Sequence, residues 1–192
     1  MKISFVKSDE NLIENASEND VIIDKSNYSS IILFLKVIVA TLYAFGLGYS
    51  LFFLGDDFIH VGLLFLALLV ISYILIEYPY AFLKALFLPK VFHKDNINLK
   101  LNPFTSAIDI VSKMAISKGR IAISILLPFI LLVVVPTIVS YKLEFNMYLY
   151  LIASSSAIIA TKDIIYLLVI LLHHSMGNYV KLGLNEFIFY KK

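Results

Sequence analysis

Apolar residues come in four long runs, parted by short polar breaks and one long polar stretch. The first run is Ile31 to Leu54, interrupted only by Lys36 and small polar residues, and Gly55-Asp56-Asp57 closes it with a tight polar turn. The second runs from Phe58 to Ile76 and continues as helix through Glu77 to Leu88, where Pro89 and Lys90 open a polar stretch lasting to Arg120. Ile121 to Ser140 is the third, carrying Pro128 and Pro136, and Tyr141 to Asn146 forms a short loop after it. Met147 to Leu172 is the fourth, with Lys162 and Asp163 inside it, and His173 to Lys192 forms a tail. Each run reaches the roughly 20 residues that a helix needs to cross a hydrocarbon core.

The pattern therefore predicts an all-α, polytopic membrane helix bundle of about four spans: 31–54, 58–76, 121–140 and 147–172. A small cytoplasmic α/β elaboration accompanies it. In the loop 89–120, Ile97-Asn98-Leu99-Lys100-Leu101 alternates as a strand does, and Asn102-Pro103 ends it. Leu184 to Tyr190 reads as a second strand able to pair with the first. Ile108, Val111 and Ala115 recur at helical spacing, which predicts a short amphipathic helix over 106–117. Residues 1–30 form a separate polar, acidic segment, with 31–192 as the membrane domain.

Composition supports the membrane reading. The 192 residues are 60% hydrophobic, against roughly 45–50% in soluble domains, and mean hydropathy is +0.87. A net charge of +2 gives no case for nucleic acid. Zero cysteines exclude disulfides and thiolate metal sites. The fifteen lysines against the lone Arg120 suggest an AT-rich bacterial genome. Residues 1–30 lack the basic start and short apolar run of a signal peptide.

Basic residues set the orientation, because cytoplasmic loops carry the excess of Lys and Arg. Lys2, Lys7, Lys25, Lys84, Lys90, Lys94, Lys100, Lys113, Lys118, Arg120, Lys181, Lys191 and Lys192 fall on one side, and only Lys142 on the other. Both termini, the 89–120 loop and the 173–192 tail are thus expected in the cytoplasm of a multi-pass cell-membrane protein.

Charges inside spans are costly and mark sites or partners. Lys36 lies five residues into its span, about 7 Å deep at 1.5 Å per residue. Asp163 is sixteen residues from the outer start of its own, about 24 Å, and so about 6 Å short of the inner edge of a 30 Å core. Glu77 ends the second span at a similar level, and Lys162 adjoins Asp163. Lys36, Glu77, Lys162 and Asp163 are therefore candidates for one polar intramembrane site. For the lysines, snorkelling to the headgroups is the competing reading; an aspartate is too short for that. Tyr73, Tyr78, Tyr80, Tyr141, Tyr148 and Tyr150 fall near the predicted interfaces, as an aromatic belt does. Gly46 and Gly48 permit either close helix packing or a bend. Pro128 and Pro136 predict a kinked third span.

Ile76-Glu77-Tyr78-Pro79-Tyr80-Ala81 looks like a damaged HExxH-Ala segment. An intact motif places two His on one helix face to bind zinc, with Glu as general base. Ser117-Lys118-Gly119-Arg120, Pro128-Phe129, Ser154-Ser155-Ser156 and Lys162-Asp163 come after it in that order. Together these segments resemble small bacterial membrane zincin-type peptidases, whose layout is that of the site-2 proteases. The resemblance implies that Asp163 matches a third metal ligand, and Lys162 stands where a Gly is usual. Ile76 and Tyr80, however, occupy the His positions: Ile offers no ligand, and a phenol of pKa near 10 is a poor one. Pro79 removes a helix donor besides. His60, His93, His173 and His174 lie far from Glu77 and Asp163 along the chain and read as solvated interfacial residues.

Ile76, Glu77 and Tyr80 thus form a vestigial motif, and the sequence predicts no catalytic residues, no metal and no cofactor. The expected function is that of a pseudoenzyme, a binding or regulatory (immunity-type) membrane protein. Its partners would be the lipid bilayer and another membrane protein or peptide. From a different class stands a small transporter or channel subunit using the Glu77/Asp163/Lys36 level. A third alternative is a membrane hydrolase with an altered mechanism. The orientation is directly testable, since the chain has no native cysteine. A cysteine introduced at Asp57 or Asn146 should react with an impermeant reagent on intact cells, and one at Asn98 should not. The reverse pattern would invert the topology.

Overall fold

The computed structural model describes residues 2–5, 21–54, 58–89, 97–102, 107–112, 114–143, 145–173, 178–183 and 185–190. Its helices follow the apolar runs: α1 is Ser29–Leu54, α2 Phe58–Leu86 and α5 Met147–Leu172. The third run is α3 Lys118–Phe129, a π-helical segment Ile130–Val134 and α4 Val135–Lys142. These four are long and apolar enough to cross a membrane. The Gly55-Asp56-Asp57 turn lies outside the described residues.

The strands are β1 Lys2–Phe5, β2 Val21–Asp24, β3 Ile97–Asn102, β4 Ala107–Ser112, β5 Ile116–Ser117, β6 Tyr179–Leu182 and β7 Glu186–Tyr190. The chain divides into two compact units. One comprises residues 1–29, 81–125 and 165–192, the other 30–80 and 126–164.

The first unit holds every described strand, in two sheets. One has the order β1-β3-β4, with β1 parallel to β3 and β3 antiparallel to β4. The second has the order β2-β7-β6-β5 and is antiparallel throughout. Strand β3 appears where alternation predicts it, and β7 within the predicted 184–190. They do not pair with each other, because they belong to different sheets.

The expected amphipathic helix over 106–117 is not formed: β4 and β5 occupy that stretch. Its spacing fits a helix, but Ile108, Ile110 and Val111 are β-branched and suit a pleated surface. Residues 108–112 are buried without a break, a pattern no one-sided surface helix shows. Ile97, Leu99, Ile108, Ile110, Ile116, Val180, Phe187 and Phe189 form a core with Ala81, Ala85, Ile121, Ile125, Leu167 and Ile170 from the helices.

Lys25 stitches the N-terminal part of this unit to its C-terminal hairpin. Its ammonium donates to the Gly183 carbonyl at 2.6 Å and lies over the rings of Phe187 at 4.8 Å and Tyr166 at 5.4 Å. One residue earlier, the Asp24 carboxylate accepts the Ser26 N–H at 2.8 Å, a bond that holds its pKa below the usual carboxylate value.

The second unit is helical. Its third run departs from regular α-helix between its prolines: the Val135 N–H donates to Ile130 five residues back. Pro136 has no N–H to offer, and a π turn is one way a helix absorbs such a loss. Phe145, in the turn before α5, has φ 60°. Its ring packs 5.1 Å from Tyr150 and 5.9 Å from Tyr141, which offsets the strain of a left-handed aromatic residue. Asn146 then caps α5, its side chain accepting the Leu149 N–H at 3.1 Å.

Gly46 answers the choice between packing and bending in favour of packing. The Tyr150 hydroxyl sits against it and donates to the Tyr43 carbonyl at 2.7 Å. A Cβ at Gly46 would collide with that hydroxyl and lie 2.9 Å from that of Tyr141. Gly46→Ala should therefore lower stability by about 1–3 kcal/mol, the usual cost of overpacking. Gly119→Ala, with nothing within 4 Å, should be neutral or stabilise by up to about 1 kcal/mol. Thermal melts in one detergent compare the two; equal effects would contradict the packing at Gly46.

Candidate functional site

The less exposed face of α2 repeats every three to four residues: Phe65, Glu77 and Tyr80 are buried, and Leu69, Ser72, Tyr73 and Ile76 partly so. This is the helical period of one side turned inward. Pro79 falls on the exposed side, and α2 runs on through it. On α5 the pattern is different, since every residue from Ala153 to Asp163 is buried. Ala153, Ser154, Ser155, Ser156, Ala157 and Ala160 explain how: small side chains let neighbouring helices approach from all directions.

α2 and α5 meet where the Ser72 and Ser155 hydroxyls are hydrogen-bonded to each other. Eight residues further along each helix stand Tyr80 and Asp163.

Three of the four candidate charges are buried. Glu77 is 7% exposed, Lys162 9% and Asp163 3%. Each of them makes a polar or electrostatic interaction. Lys36 is partly buried and reaches across to α2, its ammonium donating to the Tyr73 hydroxyl at 3.2 Å and lying 5.7 Å from that ring's centroid. Tyr43, beside them on α1, bonds Thr137 at 3.0 Å.

Ile76 and Tyr80, the motif's His positions, both belong to one packed cluster with Val133, Ala157, Ile159 and Ala160. Tyr80 and Tyr150 are 1% and 2% exposed and so are not belt residues, whereas Tyr148 is 78% exposed. Sequence position near a span end does not distinguish a ring turned inward from one turned outward.

Among the described residues no three His, Cys, Asp or Glu side chains converge as a metal site would require. His173 belongs to the other unit, where its ring nitrogen pairs with the Val169 carbonyl at 2.8 Å and its own carbonyl accepts from Lys118 at 2.9 Å. The side chains of His60, His93 and His174 lie outside the described residues. Nothing in the sequence marks Ser72 or Thr161 as inward polar groups, because serine and threonine in a helix commonly bond their own backbone. Thr161 does this, donating to the Ala157 carbonyl at 2.9 Å.

No family model, curated protein or solved structure matches the chain.

The Lys36–Tyr73 bond separates a tethered lysine from a snorkelling one. Tyr73→Phe removes the hydroxyl and keeps the ring. It should cost about 1 kcal/mol in wild type and much less in a Lys36→Met background, the signature of a coupled pair. Strict additivity in that cycle would show that Lys36 does not depend on Tyr73.

Proposed function

We propose that the chain is a multi-pass membrane protein of the binding or regulatory kind, with both termini in the cytoplasm, and that it does not hydrolyse peptide bonds. One observation carries the reading: Ile76 and Tyr80 are packed into the same apolar cluster. A zincin site needs an open coordination position between imidazoles. Here Tyr80 is buried and Ile76 partly buried in one apolar cluster, and Glu77 and Asp163 are the acidic groups left at that level. The resemblance to membrane zincin-type peptidases is then one of layout, with a membrane-embedded protein or peptide as the bound partner in place of a cleaved substrate.

The three buried charges Glu77, Lys162 and Asp163 favour a second reading, a transporter or channel subunit. Ion flux into proteoliposomes that Asp163→Asn abolishes would select it over the first.

Zinc content tests the main proposal. Purified wild-type protein, incubated with zinc and desalted, should carry far less than one equivalent. The Ile76→His/Tyr80→His double variant should gain zinc, with a zinc-dependent rise in Tm as a second readout. Stoichiometric zinc on wild type that is lost with Glu77→Gln and Asp163→Asn would overturn the proposal.

A further inference from the structure

Three helix ends belong to the first unit: residues 81–86 of α2, 118–125 of α3 and 165–172 of α5. Their inward sides supply Ala81, Ala85, Ile121, Ile125, Leu167 and Ile170 to the core shared with the strands. In water, a helix that packs one side against such a core carries polar residues on the other. On α2 the outward stripe is apolar instead. It steps by four residues through Leu66, Val70, Ile74, Tyr78, Phe82 and Leu86, with exposure between 61% at Val70 and 36% at Leu86. Its one polar atom is the Tyr78 hydroxyl. Lys84 is partly buried and lies off the stripe.

The other two ends agree. In this unit the exposed positions of α5 are Leu168, Leu171 and Leu172, the last at 80%. On α3, Gly119 and Arg120 are exposed first and Ile123 next, so the outward side changes from polar to apolar within one turn. The start of α3 is fastened beside the end of α5: the Lys118 ammonium donates to the His173 carbonyl at 2.9 Å, and the Lys118 N–H to the Asn178 carbonyl at 3.1 Å. The change at Arg120 and the last exposed leucine of α5 therefore fall at one level.

Continuity selects what covers this surface. Each end is the last part of a helix long and apolar enough to cross a membrane, and the outward side of α2 offers no charge at which water would take over from lipid. Contiguous exposed apolar surface of this kind marks a membrane contact. We propose that lipid acyl chains cover these helix ends, so that the inner edge of the hydrocarbon lies at Leu86, Arg120 and Leu172 and the first unit is partly embedded. The inference rests on the membrane reading above and moves the inner end of the second span from Ile76 to Leu86. Glu77 then lies more than two helical turns inside the hydrocarbon instead of at its edge.

Spin labels on single cysteines test it, in the full chain reconstituted into liposomes, since the chain has no cysteine of its own. Oxygen concentrates in hydrocarbon and a nickel chelate stays in water, so their collision rates with the label report which medium surrounds it. Labels at Val70→Cys, Ile74→Cys, Phe82→Cys, Leu86→Cys, Leu168→Cys and Leu171→Cys should meet oxygen severalfold more than chelate. A label at Ile22→Cys, next but one to the exposed Asp24 on β2, should show the reverse. All these positions are exposed, so each variant should keep the wild-type Tm, and α2 and α5 report independently of each other. Phe82 and Leu86, or Leu168 and Leu171, on the water side while Val70 and Ile74 are in lipid would overturn the proposal and leave the membrane reading standing. Val70 and Ile74 on the water side as well would overturn both.

Discussion

The close approach of helices to the middle of α5 is the constraint on which the second unit depends. Eleven consecutive residues, Ala153 to Asp163, are buried, so α5 has no outward side over three turns. A helix can be enclosed in this way only if its side chains are short, and here they are mostly alanine and serine until Thr161. Serine brings a cost that alanine does not, because each hydroxyl taken away from water needs a partner. Ser154 and Ser155 meet that cost locally and Ser155 also across to Ser72. The close packing and the polar strip are therefore one feature: the same small residues that admit α2 bring its Ser72, Glu77 and Tyr80 up against hydroxyls and charges.

The other irregularities of that unit answer the same demand. Pro136 removes a donor from the third run, and a π turn re-routes the bonding so that Val135 reaches Ile130. Thr137 donates to the carbonyl of Val133 at 2.7 Å and also engages Tyr43. At the loop before α5, Ser140 and Asn146 bond one another's backbone, with Ser140 donating at 2.9 Å and Asn146 at 3.1 Å. In apolar surroundings backbone groups freed by a proline or a turn have no water to turn to, and nearby hydroxyls take its place.

How far the fold is legible in the sequence depends on which physical signal each part uses. The four helices are set by apolar run length, which sequence shows directly; α1 and α5 end where the runs end. The charged level is visible too, since Lys36, Glu77, Lys162 and Asp163 stand out against apolar neighbours. Strands β1, β2 and β6 give no such signal. They are four residues each, and β1 and β2 lie in a stretch whose acidic composition masks them. Strand β4 imitates a helix because Ile108 and Val111 satisfy a helical spacing while sitting among residues that are buried on both faces, where periodicity carries no information. Tyr80 and Tyr150 imitate belt residues for a related reason. A tyrosine near a span end is written identically whether its ring faces outward or packs beneath a glycine such as Gly46.

Tyr80 shows why the motif comparison and the packing have to be argued together. In a His-bearing motif, position 80 would point a ring nitrogen at a metal on the inner face of α2. That face is inward here, and the side chain at position 80 is a buried phenol. A phenylalanine would fill that volume without an unmatched hydroxyl, and isoleucine at position 76 shows that an apolar residue is accommodated one turn away. Retaining the oxygen places a donor under the influence of Asp163 in a setting where desolvation makes every unmatched polar group expensive. Hydrophobic packing alone gives no reason for that oxygen.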